Sequence, residues 1–136
     1  MIGYVTVGAD DMAAAERFYS AILPALGFAF ERYHGDLSYL APRAEGRGLP
    51  DFYVKAPFDG AAAHAGNGSM TAFEARDQAQ VRALHAAALA AGGSDAGAPG
   101  FRDAYGPRFY VGYLRDPTGN KIALYSSHPD DPARDG

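Results

Sequence analysis

Cysteine and tryptophan are both absent from this 136-residue chain. Without cysteine there is no disulfide, no thiolate nucleophile, no cysteine-held iron–sulfur cluster and no cysteine-ligated zinc. Long apolar runs are missing too. No stretch approaches the roughly 18 consecutive apolar residues of a membrane span, and residues 1–11 lack the basic region and apolar run of a secretory leader. A cytoplasmic domain with no membrane partner is the expectation. Positive charge is also short, with twelve Lys and Arg against sixteen Asp and Glu, a net charge of -4. So weak a field favours solubility and cannot hold a polyphosphate backbone, which removes nucleic acid from the expected partners.

What is present describes an ordinary globule. Hydrophobic residues make up 48% and charged residues 21%, and a chain of this length buries about two-thirds of its surface, down to about 7,000 Å² when folded. One core can carry itself without a structural metal. The start alternates Ile2, Tyr4, Thr6 with Val5, Val7 before Gly8, a strand pattern. Asp10 or Asp11 then caps a helix with an apolar stripe of Met12, Ala15, Phe18, Tyr19, Ile22 and Leu23, stopped by Pro24 and Gly27. Three β-type runs follow, at 28–33, 37–41 and 51–55, separated by His34-Gly35-Asp36 and a Gly-rich connection over 42–50. Residues 56–68, rich in Ala and Gly, read as a link between halves.

The pattern then restarts. Residues 69–75 read as a strand, and Asp77 with Gln80 three positions on opens a helix bearing Val81, Leu84, Ala88 and Leu89, ended by Gly92-Gly93. Extended runs at 101–105, 109–114 and 121–126 follow, the last two joined by the turn Asp116-Pro117-Thr118-Gly119-Asn120. Asp11 over Asp77 and Gly27 over Gly93 share one offset, 66 residues, so the chain reads as a doubled βαβββ unit. Its modules span about 1–58 and 68–128 within one domain, 1–128. Residues 129–136, polar and proline-containing, read as a flexible tail.

Several strings on this frame carry a resemblance. Met1-Ile2-Gly3-Tyr4-Val5-Thr6-Val7-Gly8, Arg17-Phe18-Tyr19-Ser20-Ala21 and Leu26-Gly27-Phe28 lie in the first half. The run from Leu84 to Gly93, then Gly97-Ala98-Pro99-Gly100, then Asp116-Pro117-Thr118-Gly119-Asn120-Lys121-Ile122 lie in the second. In order and spacing they resemble the glyoxalase/bleomycin resistance/extradiol dioxygenase family, the vicinal oxygen chelate superfamily, over residues 1–128. The resemblance implies an α+β fold in which two βαβββ modules form a cup-shaped mixed sheet, helices outside and a small-molecule ligand inside. It also implies a homodimer, with the cup built within one chain or across two. Metal-using members hold a divalent ion with a His in the first strand, a His opening the second half and a Glu in the last strand. The matching positions here are Tyr4, Met70 and Ala123. Phenol, thioether and methyl groups do not form a divalent site, so no cofactor is expected, with a metal on relocated donors left open.

Within the implied cup, period-two counting puts Tyr4 and Thr6 on the lining face with Met70, Ala72 and Glu74, and with Ala123 and Tyr125; Tyr53 and Tyr110 are expected to join them. These side chains read either as an aromatic pocket for a planar or hydrophobic molecule or as ordinary core. Glu74, the inward carboxylate, is a candidate general base if buried, or a rim residue paired with Arg76, Arg108 or Lys121. Arg102 and Arg108 flank a Gly/Pro segment, 103–107, that reads as a lid with an anion clamp or as solvated loop. His85 reads as structural. Three functions follow as expectations. The first is metal-free binding of an aromatic or hydrophobic compound. The second is a lyase, isomerase or dioxygenase, with Glu74 as base or with relocated metal ligands. The third is an empty cup serving assembly.

Overall fold

A computed structural model describes residues 1–42 and 48–135 of the chain. Residues 43–47, inside the expected connection at 42–50, and residue 136 of the expected tail lie outside the described residues. The first half runs β1 (Val5–Gly8), α1 (Met12–Ser20), a single 3-10 turn (Pro24–Leu26), β2 (Ala29–Tyr33), β3 (Asp36–Leu40) and β4 (Phe52–Lys55). The second runs β5 (Thr71–Glu74), α2 (Gln78–Ala90), β6 (Ser94–Phe101), β7 (Tyr110–Arg115) and β8 (Lys121–Ser126). Each half makes a four-stranded mixed sheet, in the orders β1-β4-β3-β2 and β5-β8-β7-β6. The opening strand of each sheet pairs in parallel with its last, Val5 opposite Phe52 and Thr71 opposite Ile122. Val5 and Thr71 are 66 residues apart, the offset read from the caps, while their partners Phe52 and Ile122 are 70 apart, so the repeat holds for the opening strands and the second half takes four more residues to return.

Local chemistry places both helices. The Asp11 carboxylate accepts from the Ala14 N–H at 3.0 Å and the Asp77 carboxylate from the Gln80 N–H at 2.7 Å, each satisfying a donor of the first turn. Gln80 reaches back to the Arg76 N–H at 2.9 Å, and its amide nitrogen donates to the Ala25 carbonyl at 3.0 Å, tying the halves together. After the 3-10 turn the chain reverses at Gly27, whose φ of 96° is left-handed. In the second half that conformation belongs to Gly92, the first of the expected Gly92-Gly93 pair. Gly93 serves a different need: a Cβ there would sit 2.4 Å from the Phe18 ring. The halves approach too closely at this point for any side chain.

Both helix-facing sheet surfaces enter one core. Phe18, Tyr19, Ile22, Tyr39, Phe52 and Val54 of the first half and Phe73, Val81, Leu114, Ile122 and Leu124 of the second form one buried cluster, and Phe73 meets Phe28 and Phe52 edge-on. The turn Asp116–Asn120 rivets the halves. Asp116 accepts from the Tyr19 hydroxyl at 2.6 Å, from the N–H groups of Thr118, Gly119 and Asn120, and from the Asn120 side chain. That side chain also donates to the Gly8 carbonyl of β1 at 2.9 Å. The buried Tyr19 phenol is therefore satisfied.

Two expectations at the C-terminal half change. The extended run expected at 101–105 belongs earlier, because β6 occupies Ser94–Phe101 and includes Gly97-Ala98-Pro99-Gly100. A Gly/Pro string reads as loop, yet it is tolerated here on an edge strand whose register shifts twice against β7. The expected flexible tail is hydrogen-bonded. Asp131 accepts from the Gln78 N–H at the start of α2, the Gln78 side chain donates to the Pro132 carbonyl, and the Arg134 N–H donates to the Pro107 carbonyl. Helix N-termini favour an acidic partner, and a sequence pattern does not show when that partner arrives from 53 residues away. Among the described residues, no helix is long and apolar enough to cross a membrane.

Candidate ligand-binding site

The sheet faces away from the helices remain open. On the first sheet, Tyr4 precedes β1 and packs edge-on against Tyr53 of β4, ring centroids 5.5 Å apart, with Thr6 opposite Tyr53 in register. Beside them the link between halves folds back, anchored by the Ala63 N–H on the Asp10 carboxylate at 2.9 and 3.0 Å. The result is a recess of about 510 Å³ lined by Tyr4, Thr6, Lys55, Phe58 and His64 among others. On the second sheet, Met70, Ala72 and Glu74 share a face with Ala123 and Tyr125 of the neighbouring β8. Tyr125 stacks on Phe109, centroids 5.5 Å apart, and its hydroxyl lies 3.4 Å from a Glu74 oxygen. Burial and the adjoining Glu74 carboxylate raise the Tyr125 pKa above the ordinary phenol value.

Some expected site residues gather and others do not. Tyr4, Thr6 and Tyr53 form one cluster; Met70, Ala72, Glu74, Ala123 and Tyr125 form another, on a different sheet. No strand pairing joins β1 to β5, and each is an edge strand. Tyr110 turns the other way. It lies on the helix side of β7, nearly buried, with its hydroxyl 3.3 Å from Arg82 of α2 and its ring edge-on to Phe101. Tyr110 sits opposite Ser126, one residue out of phase with Tyr125, and the pleat sends it to the core. Arg108 lines a recess of about 780 Å³ with residues 104–109 and Ser127, and donates to the Asp131 carbonyl. The loop expected as a lid is therefore held by the C-terminal segment, with Arg134 donating to the carbonyls of Arg102 and Tyr105.

Glu74 is exposed, so the burial on which its role as a base was argued is not supplied by one chain. None of its three expected cationic partners reaches it: Arg76 pairs with Asp77 at 3.5 Å, Arg108 turns to the tail, and Lys121 lies over the Tyr113 ring at the far end of the sheet. His85 is buried on α2, with Nε2 3.1 Å from the Tyr113 carbonyl and 3.2 Å from the Asp95 carboxylate, which is a structural role. Phe109, Tyr113, Arg115 and Lys121 complete the open face of the second sheet. Their facing was readable once β7 and β8 are placed as a hairpin with Tyr113 opposite Ala123. Arg102, which returns along β6 to lie over Tyr113, carried no such signal.

A sequence profile of the Glyoxalase/Bleomycin resistance protein/Dioxygenase superfamily matches residues 1–124. The chain belongs to this superfamily. It is similar to a glyoxalase/bleomycin resistance protein from Albidiferax ferrireducens, 36% identical, with 91% of this chain and 96% of that one covered and a TM-score of 0.78. It shares its fold with a glyoxalase-related enzyme from Fulvimarina pelagi (20% identity, 93% and 87% covered, TM-score 0.67) and with a lactoylglutathione lyase from Agrobacterium tumefaciens (22%, 93% and 92%, 0.57). A comparison with curated protein sequences gives no match. The glyoxalase fold brings with it the question of the divalent ion. Among the described residues no three His, Asp or Glu side chains converge, and the positions matched to metal ligands carry Tyr4, Met70 and Ala123. That donor set does not fit a divalent cation.

Proposed function

We propose that this glyoxalase-fold protein binds a small aromatic or hydrophobic molecule without a metal, in a cup completed by a second copy of the chain. The observation that carries this reading is the pair of open sheet faces, which display Tyr4, Tyr53, Met70, Ala72, Tyr125 and Phe109, with the charged groups of the second face, Glu74, Arg115 and Lys121, confined to its two ends. Aromatic faces with a few hydroxyls orient a planar ligand by stacking and edge contacts. The second copy is supported by area and by edges. The chain exposes 7880 Å², above the about 7,000 Å² of a compact monomer this size, and β1 and β5 each leave one edge unpaired. Bringing the first sheet of one copy beside the second sheet of the other covers both faces.

A panel of aromatic compounds screened by melting temperature tests the binding, because a ligand that binds only the folded state raises Tm by an amount that grows with the logarithm of its concentration over its Kd. A Tm unmoved by every aromatic compound overturns it. Elemental analysis of the purified protein tests the metal-free part: a stoichiometric divalent ion overturns that. The pairing of Tyr125 with Glu74 favours one second reading, a metal-free lyase or isomerase with Glu74 as base. Glu74→Gln separates the two, since lost turnover with retained ligand affinity marks catalysis and unchanged behaviour marks binding.

A further inference from the structure

The open face of the second sheet is polarised along its strands. Glu74 and Tyr125 lie at one end; β5 and β8 run in parallel and β7 antiparallel, so Met70, Lys121 and Arg115 lie together at the other. Between them sits Tyr113, with the Lys121 ammonium 4.9 Å and the Arg102 guanidinium 5.4 Å from its ring centroid. The chain is acidic overall, and four cations elsewhere are paired, Arg32 with Glu16, Lys55 with Asp36, Arg76 with Asp77 and Arg134 with Asp135, while Arg82 and Arg108 are held by the Tyr110 hydroxyl and the Asp131 carbonyl. Among the described residues no carboxylate forms an ion pair with Arg102, Arg115 or Lys121. Arg115 and Arg102 are instead oriented by carbonyls, those of Gly119 at 2.9 Å and of Phe101 and Ala98 at 3.0 and 2.8 Å.

Beside these cations is a built recess of about 540 Å³. Arg115 and Lys121 form one wall, and the returning link forms the other with Asn67, Ser69 and Met70. Met70 belongs to both surfaces, since it lines the recess and shares its facing with Ala72 and Glu74. We propose that this recess takes an oxyanionic group, a carboxylate, phosphate or sulfonate, carried by the molecule whose aromatic body lies over Tyr113 and Tyr125. The inference rests on the cup reading and narrows it to planar acids. Four residues separate Lys121 from Tyr125, so at the rise of a strand the acid spans about 13 Å or less. Guanidinium and ammonium groups held without a carboxylate partner bind such an anion by charge-assisted hydrogen bonds.

Two fluorescent probes with the same anilinonaphthalene body test this: 8-anilinonaphthalene-1-sulfonate, which carries the anion, and N-phenyl-1-naphthylamine, which does not. The expected result is an affinity at least about tenfold higher for the sulfonate. In Lys121→Met and Arg115→Gln the ratio of the two affinities falls by about five- to tenfold, more in the double variant. Melting temperatures of the variants, unchanged, show that they fold, and inorganic phosphate displaces the sulfonate from the unaltered protein while leaving the neutral probe bound. Equal affinities for the two probes, or a ratio the substitutions do not change, overturns the anion site and leaves the cup. Neither probe binding overturns the cup reading, and this inference falls with it. A Tm rise with phosphate alone, abolished in Lys121→Met but accompanied by equal probe affinities, places a free anion there and overturns its link to the cup ligand.

Discussion

Asp116 is buried and accepts five hydrogen bonds, one of them from a tyrosine of the other half. Asp116→Ala removes all of these acceptors while the Tyr19 and Asn120 donors stay buried, which costs about 1–3 kcal/mol for each donor that water does not reach. A loss of about 3 kcal/mol or more in urea unfolding is the expected outcome, with Tyr19→Phe costing about 1 kcal/mol. The same tyrosines set an alkaline limit. Burial pushes the Tyr39 phenol up to about 12, and burial with the adjoining Asp116 carboxylate holds Tyr19 well above the ordinary value. In the unfolded chain both ionise near pH ~10. The folded protein therefore keeps two protons that the unfolded chain releases, and a raised pKa contributes stability below that pH and loses it above. Stability is independent of these groups at lower pH and falls as pH rises from about 10 through about 12, by up to about 1.4 kcal/mol per unit for each phenol. Urea midpoints on either side of about pH 10 check this, and Tyr39→Phe reduces the fall.

Among the elements, the C-terminal segment and the loop it holds are the least self-sufficient. Removing residues 129–136 deletes the Asp131 partner of Gln78 and the Arg134 contacts to Arg102, Tyr105 and Pro107. Faster amide hydrogen exchange confined to residues 102–109 and to the first turn of α2 is the expected result. Exchange unchanged in that loop would show that it orders itself. The contrast with other elements shows what sequence reading reaches. Strand parity and caps are local, so β1 to β5, β7 and β8 and both helix starts were legible within a few residues, as was the repeat. Edge strand β6 was not, because glycine and proline signal a loop unless the neighbouring strand is known. Tyr110 was assigned to the lining face because facing depends on register across β7 and β8, which one strand alone does not reveal. The hydrogen bonds of the C-terminal segment lay out of reach for a related reason: its partners lie on α2 and on the loop before β7, not in its own neighbourhood.

For the whole molecule, the open faces separate stability from assembly. Thr6 and Ala72 are exposed in the single chain, so Thr6→Arg and Ala72→Arg change the unfolding free energy of the monomer by no more than about 0.5 kcal/mol. On the proposed arrangement each puts an uncompensated cation into the covered cup. The expected outcome in sedimentation equilibrium is a dimer for the unaltered protein and monomers for both variants, with loss of Tm shifts by aromatic compounds. Variants that remain dimeric and still bind would show that these faces stay solvated.

On the proposed arrangement the two open faces of the cup belong to different copies of the chain, and this has a bearing on dose. A receptor whose walls come from separate molecules obeys mass action twice, once for the pair and once for its guest. Diluting the protein then weakens its hold on the guest, and adding the guest draws the pair together. How much of the compound a cell containing this protein could soak up would rise more steeply than the amount of protein it makes.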